Sequence, residues 1–393
     1  MIAPIAKPSP ARTAMLIMIL SLAPTIGLGI GRFAYSLVLP DMRESLGWSY
    51  SSAGFMNTIN AAGYLVGALL GAQLSRRFSL ITLVRAGTLA CVLSLLLCGL
   101  SANFWLLSFA RLLAGLGAAQ AFVAGGALAA TLAQTHPERA DFNLSLFYAG
   151  PGIGIFASGL IAPLLLNVSG PGSWWIVWLA MTAVSALMAI PLLATRISTS
   201  APLEKTKPKR FSIQPVFIYL AGYFMFGAGY IAYMTFMIAY VRDAGGGAAA
   251  QSMFWCLLGI SAFATPWVWR RVLARGQSGR ATALILGVNA VGAAMPLLGH
   301  SQWLFGASAL VFGVAFFAVV ASTTVFVRFN YPREDWPVAI AAMTIAFGIG
   351  QTIGPIAIGA ITDAMGSLNY ALNVSAATLA VGAIACAFQK RLG

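Results

Sequence analysis

Gly29-Ile30-Gly31-Arg32-Phe33-Ala34-Tyr35 recurs 198 residues later as Gly227-Ala228-Gly229-Tyr230-Ile231-Ala232-Tyr233. Both stretches lie inside long apolar spans, so one bundle of membrane helices occurs twice. Duplicated bundles place ligand sites between two halves that rock about them. The same alignment sets Arg32 opposite Tyr230, so the halves differ chemically there.

The repeat extends outward. Arg76-Arg77 is matched by Arg270-Arg271, and His136-Pro137-Glu138-Arg139 by Tyr331-Pro332-Arg333-Glu334. Between the copies, 196–213 carries five basic residues with Pro202 and Pro208, and reads as a linker. The expected division is a disordered tail (1–12), a six-helix bundle (13–195), the linker, a second six-helix bundle (214–388) and a short tail (389–393). Of the 393 residues, 60% are hydrophobic and 8% charged, against roughly 25% charged in a soluble domain. A spanning helix needs about 20 apolar residues. Twelve such spans are predicted: 13–40, 48–74, 80–101, 104–131, 142–167, 173–195, 214–241, 249–269, 281–299, 302–328, 337–363 and 368–388.

The net charge of +14 could suggest nucleic acid, but its distribution argues for topology. With the N-terminus in the cytoplasm, 19 of the 23 Lys and Arg fall on the cytoplasmic side. That bias predicts both termini in the cytoplasm and no nucleic-acid partner. Cys91, Cys98, Cys256 and Cys386 all sit inside spans, so no disulfide framework is expected. No GxSxG, HExxH or P-loop occurs, which argues against an enzyme, and no cofactor is expected.

Small residues mark the packing. Gly63, Gly67 and Gly71 follow a four-residue spacing that lets helices approach closely in lipid. Gly150-Pro151 with Gly154, and Gly354-Pro355, fall in matching helices of the two halves. They are candidate hinges or gates, because proline bends a spanning helix.

All nine acidic residues lie in loops or at span ends. No carboxylate stands mid-span, and Asp41 is the one candidate proton carrier. Arg32 and Arg111 do lie within spans, where a charge is costly and faces a cavity or a partner. They either anchor an anion, or Arg111 braces backbone carbonyls while Arg32 pairs with Asp41. Asn57, Asn60 and Tyr64 share one helix face; Gln120 and Gln351 are similar buried amides, bound to solute or to a neighbouring helix. Tyr230, Met234 and Met237 share a face of the seventh span, and Met253 and Cys256 stand three apart in the eighth. Soft sulfur ligands favour Cu(I), whereas methionine also serves as adaptable packing; the spacing leaves both open.

Several stretches resemble a known family. Arg111-Leu112-Leu113-Ala114-Gly115-Leu116-Gly117 resembles the fourth-helix motif of the major facilitator superfamily. Gly150-Pro151-x-x-Gly154 resembles the fifth-helix motif associated with exporters there. Gly71 to Arg77 resembles the signature between helices 2 and 3, with Ser75 where an aspartate is usual, and includes the gate candidates Arg76 and Arg77. Gly29 to Tyr35, Asn60-x-x-Gly-Tyr64, Gly229 to Phe236 and Gly350-Gln-x-x-Gly-Pro355 look like the YbfB/YjiJ-type branch. The resemblance covers about residues 13–390. It implies an all-α membrane protein with twelve transmembrane helices in two pseudo-symmetric six-helix bundles. A central cavity is then walled by helices 1, 4, 7 and 10. A related group imports copper through methionine and histidine pairs in helices 7 and 8. The methionine spacing differs here and the helix-8 histidine is missing, so that activity is not carried over.

The expected function is secondary active transport of a small anionic or amphipathic organic solute by alternating access, with H+ as candidate coupling ion. Arg32 and Arg111 would anchor the solute, and Tyr35, Asn60, Tyr64, Tyr230, Tyr233, Met234 and Gln351 would orient it. The alternatives are a Cu(I) importer using Met234, Met237, Met253 and Cys256, and a non-transporting membrane receptor. The chain is expected to be a lipid-embedded monomer of the plasma (inner) membrane.

Overall fold

The computed structural model describes residues 9–197, 212–332 and 335–392; most of the expected linker lies outside them. Among these residues, twelve helices are long and apolar enough to cross a membrane. They are α1 (Pro10–Ser45), α2 (Tyr50–Gly71), α3 (Leu80–Leu100), α4 (Phe104–Ala133), α5 (Phe142–Ser169), α6 (Trp174–Ala194), α7 (Gln214–Asp243), α8 (Ala248–Val268), α9 (Arg280–Leu298), α10 (Gln302–Asn330), α11 (Val338–Met365) and α12 (Leu368–Phe388). In lipid every backbone polar group must be satisfied within the segment, which makes an apolar run of this length a helix. Side chains at the turns start them: Ser49 accepts from the Ser52 amide, Ser79 from Thr82, and Asn103 from Trp105 and Leu106. Ser9 caps α1, which begins at Pro10, inside the stretch expected to be a tail.

The helix pairings repeat six helices on. The pairs α1–α5, α2–α4, α3–α4 and α3–α6 have the counterparts α7–α11, α8–α10, α9–α10 and α9–α12. Two equivalent bundles result, joined along α5–α8 and α2–α11 with a smaller contact between α1 and α7. Glycine makes these seams narrow. A β-carbon on Gly29 would fall 2.6 Å from the Gly154 Cα, and one on Gly152 2.8 Å from the Gly259 oxygen across the two halves. Gly354 is pressed in the same way onto Ala228 of α7.

Pro10 and Phe388 lie at one end of the bundle, here the proximal end; the turns after α1, α3, α5, α7, α9 and α11 form the distal end. Hydrogen bonds between the halves gather from mid-bundle to the distal end. The Asn57 amide donates to Thr235 (2.8 Å) and Thr58 to the Thr352 oxygen (2.8 Å). The Trp255 indole donates to Ser158 (3.2 Å). At the distal rim, Asp363 of α11 accepts from the amides of Tyr50 and Ser51 at the start of α2, both at 2.8 Å. Arg242 pairs with Glu44 beside it.

Candidate functional site

The site is built on a break in α1. After an α-helical stretch ending at Pro24, Thr25–Ile30 is π-helical. Gly31 and Phe33 donate five residues back, to Ile26 (2.7 Å) and Leu28 (3.1 Å). The chain then tightens, with Ser36 and Leu37 donating three residues back, to Phe33 and Ala34 (both 3.1 Å). Such a change of register frees main-chain carbonyls, and π-segments recur at functional sites. Arg111 of α4 takes up the slack. Its guanidinium donates to the oxygens of Gly31 (2.6 Å) and Arg32 (3.2 Å) and to the Asn57 side chain (2.9 Å). It also lies 4.9 Å from the Tyr35 ring centre. Of the two expected roles, the geometry gives Arg111 the bracing one. Asn60 completes this layer by donating to the Arg111 oxygen (3.0 Å), and Tyr35 by donating to the Ala53 oxygen (2.8 Å).

Arg32, one residue past Gly31 at the end of the π-segment, projects the other way, towards the second half. Its guanidinium donates to Gln351 Oε1 of α11 at 2.7 Å, and the Tyr230 hydroxyl of α7 donates to the same oxygen at 3.2 Å. The two residues that the repeat aligns therefore meet on one amide. The Arg32 guanidinium also stands 5.5 Å from the Tyr64 ring and 5.8 Å from Phe33. Arg32 is 3% exposed and Gln351 fully buried. Two donors in this cluster, Arg32 Nε and Gln351 Nε2, have no partner among the described residues. Burying a guanidinium costs several kcal/mol unless it is paired, and no acidic residue lies mid-span to pair with it. Pro355 sits one turn beyond Gln351 and cannot donate to its carbonyl, so α11 is weakened where it presents the amide.

The remaining sequence candidates lie elsewhere. Tyr233 shares a hydrogen bond with Ser308 (2.5 Å) and stacks on Phe312, within the second half. Asp41 accepts from the amides of Gly172 (2.8 Å) and Trp174 (2.9 Å), capping α6 at the distal end. It does not touch Arg32. Gly150 packs on α1, its oxygen accepting from Thr25 (2.9 Å), and the Pro151 oxygen faces Gly29. Arg76 and Arg77 are exposed in the proximal turn after α2. Met234 and Met237 are fully buried, and the Cys256 thiol faces the Phe156 oxygen of α5 at 3.7 Å. No group of three or more His, Cys, Asp or Glu suited to a metal occurs among the described residues, so the sulfur cluster gains no support as a copper site.

An aromatic wall beside Arg32 was missed by sequence reasoning. Tyr223, Phe226 and Tyr230 follow each other along α7 and stack with Phe347 of α11. The i, i+3, i+7 spacing on α7 was the available signal; only one of its three members was singled out.

Comparison with known proteins follows the same line. A family model described as "Uncharacterised MFS-type transporter YbfB" matches residues 24–387. The chain is 35% identical over 99 residues to the putative transporter AraJ of Escherichia coli K12 (25% of each protein). It is 28% identical over 186 residues to the putative uncharacterized transporter YgaY of the same strain, over 47% of the chain and 45% of that protein. The chain thus spans less than half the length of these curated relatives. In fold it resembles the nucleoside transporter NupG, solved as a point mutant (TM-score 0.70, 14% identity, 95% of this chain and 98% of that one). It also resembles a bacterial homologue of the human lysosomal transporter Spinster, solved inward-facing and unoccupied (TM-score 0.72, 15% identity, 97% of both chains).

Proposed function

The chain belongs to the family of YbfB-type MFS transporters, and on that premise we propose that it carries a small anionic organic solute across the plasma membrane by alternating access. The observation that carries this reading is the buried Arg32, which reaches across both halves to Gln351 with two donors of the pair left over. A buried cation with no acidic partner takes its counter-charge from a ligand. Tyr64 and Tyr230 flank the anchor, and Arg111 holds the broken helix that presents it.

The proximal end faces the cytoplasm in this reading, supported by the basic residues concentrated there. Seams gathered towards the distal end correspond to a molecule shut to the outside. The Spinster homologue that it resembles was solved inward-facing. Transport then requires the contacts of Asp363 with Tyr50 and Ser51, and of Arg242 with Glu44, to part as the distal end opens. For coupling to H+, the carboxylate at this moving seam, Asp363, is better placed than Asp41, which is committed to two amides within its own half. The glycine–proline positions 150–154 and 354–355 serve as flexing points of α5 and α11.

The test is solute counterflow in proteoliposomes over a panel of organic acids. Parent protein accumulates a labelled acid and Arg32→Gln does not, while folded yield is equal. Unchanged counterflow by Arg32→Gln removes the anchor and the reading with it.

A further inference from the structure

The anionic-solute reading says nothing of the body that carries the charge; the next step rests on that reading and concerns the body. The wall beside Arg32 is aromatic and ordered. Tyr230 and Phe347 lie 5.6 Å apart between ring centres at 13° between planes, Phe226 and Tyr230 5.0 Å at 22°, and Tyr230 and Phe316 6.1 Å at 16°. Tyr223 extends the row against Phe347 at 5.3 Å and 23°. These five rings, from α7, α10 and α11, form a near-parallel rack. Phe347, one turn before Gln351, is only half-buried and keeps free surface. From the first half, Tyr64 faces the guanidinium and Phe33 closes the rack edge-on, 6.0 Å from Phe316 at 89°.

The polar complement of this wall is narrow. The Tyr230 hydroxyl is engaged with Gln351. What remains unpartnered are two donors, Arg32 Nε and Gln351 Nε2, both buried and joined through the Gln351 oxygen. Two adjacent donors match the two oxygens of one carboxylate. A polyol would leave its own donors without acceptors here, which is costly when buried. A flat ring, in contrast, continues an offset-stacked row.

We propose that the solute is a flat aromatic or heteroaromatic monocarboxylate, its carboxylate held by Arg32 and Gln351 and its ring extending the row at Phe347. The charge supplies the missing counter-ion and the ring supplies selectivity.

The experiment is calorimetric titration of the purified full-length protein with benzoate, cyclohexanecarboxylate, benzamide and uridine. Benzoate binds saturably. Cyclohexanecarboxylate binds about two- to tenfold more weakly, the size of one aromatic pairing. Benzamide and uridine bind at least tenfold more weakly than benzoate. Phe347→Leu brings benzoate level with cyclohexanecarboxylate, and Arg32→Gln removes both. Phe316→Leu serves as a second variant should Phe347→Leu fail to fold. Equal affinity for the two carboxylates, both lost in Arg32→Gln, overturns the ring and leaves the anionic-solute reading standing. Benzamide or uridine binding as well as benzoate, unaffected by Arg32→Gln, overturns both. Absence of saturable benzoate binding in a parent protein that accumulates aliphatic acids overturns the ring alone.

Discussion

Replacing Arg111 by lysine keeps the charge and removes the planar fork. Three of its contacts matter: the Gly31 oxygen at 2.6 Å, the Arg32 oxygen at 3.2 Å and Asn57 Oδ1 at 2.9 Å. They point in different directions from two nitrogens, and an ammonium is a single point with a shorter reach. One of the three survives, so two are lost. Hydrogen bonds between membrane helices average about 0.6 kcal/mol and reach about 1.7, and two bonds from a guanidinium to freed carbonyls belong near the upper value. The expected loss is about 2–3 kcal/mol. Because the carbonyls belong to the break that presents Arg32, solute binding falls as well. The assay is unfolding in mixed detergent micelles titrated with a denaturing surfactant and followed by tryptophan fluorescence. Exposed Arg77→Lys is the control and stays within about 0.5 kcal/mol. An Arg111→Lys protein as stable as that control would refute the bracing role.

Three further outcomes are expected. Gly29→Ala sets a methyl group 2.6 Å from the Gly154 Cα and the Pro151 oxygen, so α1 and α5 must part at a cost of about 1–3 kcal/mol; Gly287→Ala, with nothing within 4 Å, is neutral in the same assay. Gln351→Glu gives Arg32 an internal counter-ion, so the melting temperature rises while benzoate affinity drops by about tenfold or more, read by thermal melting and calorimetry side by side. Asp41→Asn keeps one acceptor for the amides of Gly172 and Trp174 and loses the other, which lowers stability by about 1 kcal/mol. The pH profile of counterflow stays the same in that variant, and a flattened profile would return Asp41 to the coupling pathway.

The twelve spans were legible because each is a run of roughly membrane length with polar residues at its ends, and length against bilayer thickness is a strong constraint. The predicted ends at 80–101 and 173–195 differ from the helices Leu80–Leu100 and Trp174–Ala194 by one residue. The interior of α1 was not legible. A π-helical segment has no composition of its own; it follows from which carbonyls a distant arginine can reach, and Arg111 is 80 residues from Gly31. The sequence left Arg32 and Arg111 as equals, and only their opposite directions from one break separate a brace from an anchor. Gln351 reads in the sequence as a buried amide of unnamed partner, since a contact across 319 residues leaves no trace in local spacing. The aromatic row went unread for a related reason: apolar faces of membrane helices are rich in such residues, and parallel ring planes are a property of three helices together.

The two leading helices of the repeat have parted ways mechanically. In the second half Phe217–Asp243 runs as one α-helix, whereas its counterpart in the first half changes winding twice between Thr25 and Tyr35. A stiff rod and a jointed one cannot deform alike under the same load. The excursion that exposes the solute to either face should therefore be lopsided, with the jointed member absorbing most of the curvature and its twin moving as a solid lever. Amide deuteration at 25–36 would then respond to solute while the aligned amides at 223–234 would not, an imbalance no mirror-image rocking scheme produces.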